Sequence, residues 1–180
     1  MFQTNLQLAQ QTFGQSNRRI RASRAAAQLH HRARLQGRVG KVWSALTGRS
    51  RRLLDLPTVE AAQTVRGRHY VGAQTVPLDQ IRGSEGRCHD FDQDFAPLQE
   101  HNKGRWLSVA AARLINVTLP PVELIQVGDV YFVRDGHHRV SVARALGEIE
   151  IDAVVTVWEI AALSFPYRPV VARQLAGQSV

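Results

Sequence analysis

The chain has 180 residues, 44% of them hydrophobic, with one cysteine and a formal net charge of +8. That charge is unevenly placed: residues 1–54 hold eleven basic and no acidic side chains, and the other 126 hold 12 basic and 15 acidic ones. These properties suit one compact body with a basic arm, in a reducing, cytoplasmic setting. They exclude a membrane span, a secretory leader and a disulfide framework built on the lone Cys88.

Residues 2–13 and 17–47 are rich in Ala, Leu, Gln and Arg, which predicts one or two helices. Ala25, Leu29, Val39, Trp43 and Leu46 are expected to share a face, interrupted by Arg21, Arg32, Gly37 and Gly40. The arm's Arg18, Arg19, Arg21, Arg24, Arg32, Arg34 and Arg38 point to a polyanionic partner, DNA or RNA held through its phosphates. Base stacking is poorly supported, because the arm has few aromatics beyond Phe2, Phe13 and Trp43. The alternative is a solvated arm, or a helix packed on the acidic body of a second subunit.

Residues 48–66 read as a linker with a short helix near Pro57. A strand is expected over His69–Val76, followed by a turn through Pro77–Ile81 and a polar loop over 82–95. Residues 97–116 read as a helix with Trp106, Leu107, Val109, Ala110, Leu114 and Ile115 in the core. Val122–Val127 and Asp129–Val133 are strand-like, with Gly128-Asp129 as the turn between them. A helix over 137–146 closes at Gly147, and a strand follows over Ile149–Val157. The tail from 163, with Pro166 and Pro169, is expected to be irregular.

The candidate site is Asp135-Gly136-His137-His138-Arg139, where a strand turns into a helix. The first N–H groups of a helix lack intrahelical partners, and the helix dipole adds partial positive charge there, so a phosphate fits. Gly136 permits close approach, the histidines donate hydrogen bonds, and Arg139 offers a bidentate fork. Arg139 also lies within about 60° of Val142, Ala143 and Leu146 around the helix. A guanidinium aimed along a core stripe needs a carboxylate or a bound anion. The competing structural reading makes Asp135 an N-cap and leaves Arg139 to reach solvent or a body carboxylate.

Other candidates are weaker. Asp90, Asp92 and Asp94 have the opening spacing of a calcium loop but lack its glycine and its twelfth-position glutamate, so no metal site is expected. Ser141 reads as a surface residue, and His30, His31 and His69 show no evident partners.

The run from Val76-Pro77-Leu78-Asp79-Gln80-Ile81, through Leu119–Gly147 with its Asp135–Arg139 turn, to the strand Ile151–Val155 resembles the ParB/sulfiredoxin-like superfamily over roughly residues 70–157. The resemblance implies an α/β (α+β) fold, a small mixed sheet with packed helices, here preceded by the basic helical arm. The divisions it suggests are 1–65 for arm and linker, 66–160 for the domain and 161–180 for the tail. In sulfiredoxins the matching turn carries a catalytic cysteine; here His137 stands there, so sulfinic acid reduction is not expected. In ParB proteins the turn holds a CTP triphosphate; Gly136 and Arg139 match that pattern, without its glutamate and extra arginine. Only 23 residues follow Val157, too few for the DNA-binding domain of a full ParB. The free-serine kinases share the Asp-Gly-His-x-Arg turn and use a glutamate base, whose counterpart here is Glu85, flanked by Arg82 and Arg87 as further phosphate ligands. The resemblance therefore implies a nucleotide-binding module taking CTP or ATP, with Mg²⁺ accompanying the triphosphate. A homodimer and DNA are the macromolecular partners considered, and no membrane. The alternatives are a nucleoside triphosphatase or kinase-like phosphotransferase, a ParB-like nuclease, and a non-catalytic regulatory protein.

Overall fold

The computed structural model describes residues 2–48 and 51–161, without the side chains of residues 2–13, 41, 43 and 47. The tail from 163 and the Trp43 side chain lie outside the described residues.

A six-stranded mixed sheet forms the body. Its strands are β1 (Leu54–Asp55), β2 (Val65–Pro77), β3 (Ile81–Ser84), β4 (Val122–Val127), β5 (Val130–Asp135) and β6 (Glu150–Ile160), in the order β1-β3-β5-β4-β6-β2. The strand pattern of the sequence carries through. β4 and β5 form a hairpin closed by Gly128-Asp129, with Val127 opposite Val130. β6 then returns parallel to β4, and β2 pairs antiparallel along nearly the whole of β6. The segment expected as a linker does hold a short helix, α2 (Leu56–Ala62), capped by Asp55. It also adds β1 to the sheet edge, parallel to β3, and buries Leu53 and Leu56. The segment expected as a loop begins with β3, parallel to β5, and sends Phe91 and Phe95 into the core.

Period-two alternation splits the apolar residues between the two sheet faces. Val122, Leu124, Tyr131, Val133, Ala153 and Val155 face one core with Phe91 and Phe95, roofed by Val140 and Ala143 of α4 (His137–Ala145). Ile125, Val127, Val130, Phe132 and Trp158 face the other, covered by Leu56 and Val59. The Val142 side of α4 is covered in turn by α3 (Lys103–Leu114) and by α1 (Phe2–Thr47), a single helix of 46 residues. α4 ends as expected: Gly147 adopts φ 77°, and Glu148 N–H bonds back to Ala143 O.

Three expectations are corrected. First, the buried face of α1 is Ala22, Ala26, His30, Ala33, Gly37 and Gly40, not the face of Ala25, Val39 and Leu46, which are exposed. Small side chains let α3 approach closely enough for Trp106 to pack between Ala26 and Ala33, and the large residues are left outside. Second, Leu114 is exposed, because α3 ends there and Asn116 turns the chain at φ 59°. Third, Ser141 is buried: its hydroxyl accepts from Trp106 Nε1 at 2.8 Å and donates to Phe95 O at 2.6 Å, tying α3, α4 and the preceding loop together. His30 and His69 also have neighbours. His30 stands edge-on to Trp106 with its ring centroid 5.0 Å away, and His69 Nδ1 lies 3.6 Å from Glu159.

Candidate functional site

α4 begins at Gly136, whose φ of 94° only glycine adopts without strain. A Cβ there would stand 2.6 Å from Val122 Cγ1. Asp135 is not the N-cap, and no side chain caps the helix, so its first N–H groups are open to a ligand. They face a cleft of about 440 Å³ lined by Arg87, Arg105, Arg134, Asp135, His137, His138 and Arg139.

The arginines differ in how they are held. Arg139 donates from Nη1 to Pro120 O at 2.5 Å and Pro121 O at 2.6 Å, and from Nη2 to Asp135 at 2.5 Å. Of the two partners expected for Arg139, a carboxylate or a bound anion, the structure shows the carboxylate, joined by two carbonyls from the β4 approach. Arg139 is a strut that fixes the mouth of the turn. Arg134 Nε donates to Glu85 at 3.0 Å, and Arg87 lies 3.6 Å from Asp90. Arg105, in the first turn of α3, has no carboxylate partner among the described residues.

The histidines are buried and neutral. Ser84 Oγ accepts from Gly86 N–H at 3.2 Å and Arg87 N–H at 2.8 Å. Both its lone pairs are then occupied, so its own proton points at His137 Nε2, 2.7 Å away. His137 therefore carries its proton on Nδ1. Its pKa is pushed down to about 4, by burial first and then by Arg87. His138 is likewise held at about 4 by burial, with Arg87 and Arg105 adding to the effect. Only 6% of His138 is exposed, its edge rests on Phe91, and neither ring nitrogen has a partner among the described residues.

The structure thus brings together Asp135, Gly136, His137, His138, Arg139 and Arg87. It adds Arg105, which lies 30 residues before the turn in the sequence, and Arg134, the residue just before it at the end of β5. Glu85 and Arg82 do not line the cleft; Glu85 is held by Arg134 at its rim. Arg18, Arg19, Arg21, Arg24, Arg32 and Arg38 are exposed along α1, and Arg34 pairs with Glu100 of the body.

The remaining candidates have structural work. Asp92 is buried and accepts from Asp94 N–H and Ala96 N–H, which shapes the loop around Phe95. Burial raises the Cys88 thiol to about 11, so it is a poor nucleophile, half-buried against Leu54 O and Asp55.

No family model matches the chain, and none of the curated proteins matches it. Among solved structures, sulfiredoxin from Arabidopsis thaliana is similar over 46% of this chain and 82% of its own, at 23% identity and a TM-score of 0.33. That likeness is a distant one of fold and assigns no activity.

Proposed function

We propose that the cleft at the start of α4 binds a phosphate-bearing small molecule, with a nucleotide such as CTP or ATP as the leading ligand. The observation that carries this reading is the uncapped helix terminus opening into a cleft with four arginines and one carboxylate, where the His138 ring nitrogens are buried without a partner among the described residues. The terminus would take a phosphate on backbone N–H groups. Arg105 and Arg87 would neutralise it from the α3 side, and Arg139 would hold the turn in shape without touching the ligand.

The reading includes binding and no reaction. Glu85, the expected base, is bonded to Arg134 and does not line the cleft. Mg²⁺ is not part of it either: the single carboxylate in the lining, Asp135, is already held by Arg139.

A thermal-shift screen with nucleoside mono-, di- and triphosphates tests the proposal. A ligand at 100 times its Kd stabilises the folded state by about 2.7 kcal/mol. The expected result is a rise in Tm with phosphorylated ligands, abolished or strongly reduced in Arg105→Ala. Arg105 is an exposed residue of α3, so its loss leaves the fold intact. A rise of equal size in Arg105→Ala, or none with any nucleotide, overturns the reading.

A further inference from the structure

The side of α1 that faces away from the body is divided along its length. Arg21, Arg24 and Arg32 occupy its first part; Leu35, Val39, Val42 and Leu46 follow at spacings of four, three and four residues. Those four side chains are between 46% and 78% exposed. Their spacing places them in one stripe, the d-a-d-a pattern by which a helix packs on a partner. Arg38 flanks the stripe and is also exposed.

The opposite side of α1 is consumed by the chain itself: Ala26 and Ala33 pack against α3 and α4, and Gly37 and Gly40 lie against Ala96, Leu98 and Arg51. The stripe therefore points away from its own body. Its charge limits the occupant. α1 contains no acidic residue, so pairing with another α1 would set arginines against arginines. A complement of opposite sign lies on the same chain, at the turn that enters β6. Ile149 there is 85% exposed, the most exposed large apolar side chain among the described residues. Exposed Glu150 and Asp152 follow it, and Leu78 N–H bonds to Ile149 O, which brings exposed Asp79 beside them. Glu148 is taken up by Arg113, whose guanidinium it binds at 2.8 and 2.9 Å.

We infer that the solvent face of α1 docks on the Ile149 turn of a second copy of this chain, apolar stripe against Ile149 and arginines against Asp79, Glu150 and Asp152. The contact is heterologous, a different surface from each copy, so one face and one turn stay free after each docking step. It is independent of ligand binding in the cleft.

Light scattering on the full-length chain over a concentration series, at low and high salt, tests this. The wild type should self-associate at low salt and dissociate as salt is added. Val39→Asp removes the face and keeps the turn; Ile149→Lys removes the turn and keeps the face. Both sites are exposed, and circular dichroism verifies that each variant is folded. Each variant alone should associate about tenfold or more weakly than the wild type. Mixed, they should form a 1:1 dimer, because one keeps the face and the other the turn. A wild type that stays monomeric at low salt overturns the inference. So does either variant associating like the wild type, a mixture that stays monomeric, or association that appears only with added nucleic acid.

Discussion

At the residue scale, the turn before α4 is defined by three side chains with different tasks. Gly136 permits a left-handed backbone against Val122. Gly136→Ala should cost about 2 kcal/mol or more, from the φ and the 2.6 Å approach together, read as a lower urea midpoint. An unchanged midpoint would mean that the turn is not held as described. His137 and His138 make stability depend on pH. Their folded pKa values are near 4, below the roughly 6.5 of an unfolded histidine. Between those values the unfolded chain binds protons that the folded chain does not. Their contribution is thus complete above about pH 6.5, falls as pH drops through that window, and levels off below about 4, on the order of 3 kcal/mol per ring. Denaturant titrations of the wild type and His138→Phe between pH 7 and 4 would show it: the variant should lose stability less steeply. Equal slopes would remove His138 from the effect. The turn itself was legible, because Asp-Gly before a helical pattern is a local signal. The partners of Arg139 were not: Pro120 O and Pro121 O come from 19 and 18 residues away, and only the register of β4 against β5 brings them near.

At the element scale, strands and helices followed their periodicities, and the hairpin, α4 and its Gly147 end were readable from local patterns. The face of α1 was not. Large apolar residues dominate a periodicity argument, yet the contact with α3 is made through Ala26 and Ala33 around Trp106, and nothing in α1 alone announces a tryptophan from residue 106. Ala26→Leu should overpack that seam and destabilise by about 1–3 kcal/mol, while Ala25→Leu, on the exposed side, should change stability little. Equal effects in denaturant unfolding would contradict the assignment. The loop before α3 hid its role for a similar reason. Its polar composition suggested a solvated loop, but Asp92 is buried and accepts from the nearby backbone N–H groups of Asp94 and Ala96, while Phe91 and Phe95 turn inward.

At the scale of the whole molecule, the uneven charge seen in the sequence becomes two separate surfaces. The arginines of α1 other than Arg34 stay exposed, while Arg87 from the loop after β3, Arg105 from α3 and Arg134 from β5 gather at the start of α4. The second group was scattered along the chain and becomes a cleft only once α3 lies across α4. This convergence separates an ordinary helix start from a site with positive charge on several sides.

The most direct measurement is calorimetric titration of the full chain with a nucleoside triphosphate and with the matching nucleoside. The triphosphate should bind without added Mg²⁺, the nucleoside should bind far more weakly, and Arg105→Ala should weaken the triphosphate by about tenfold or more. Equal affinities for nucleoside and triphosphate, or a triphosphate affinity unchanged in Arg105→Ala, would contradict a phosphate site at the start of α4.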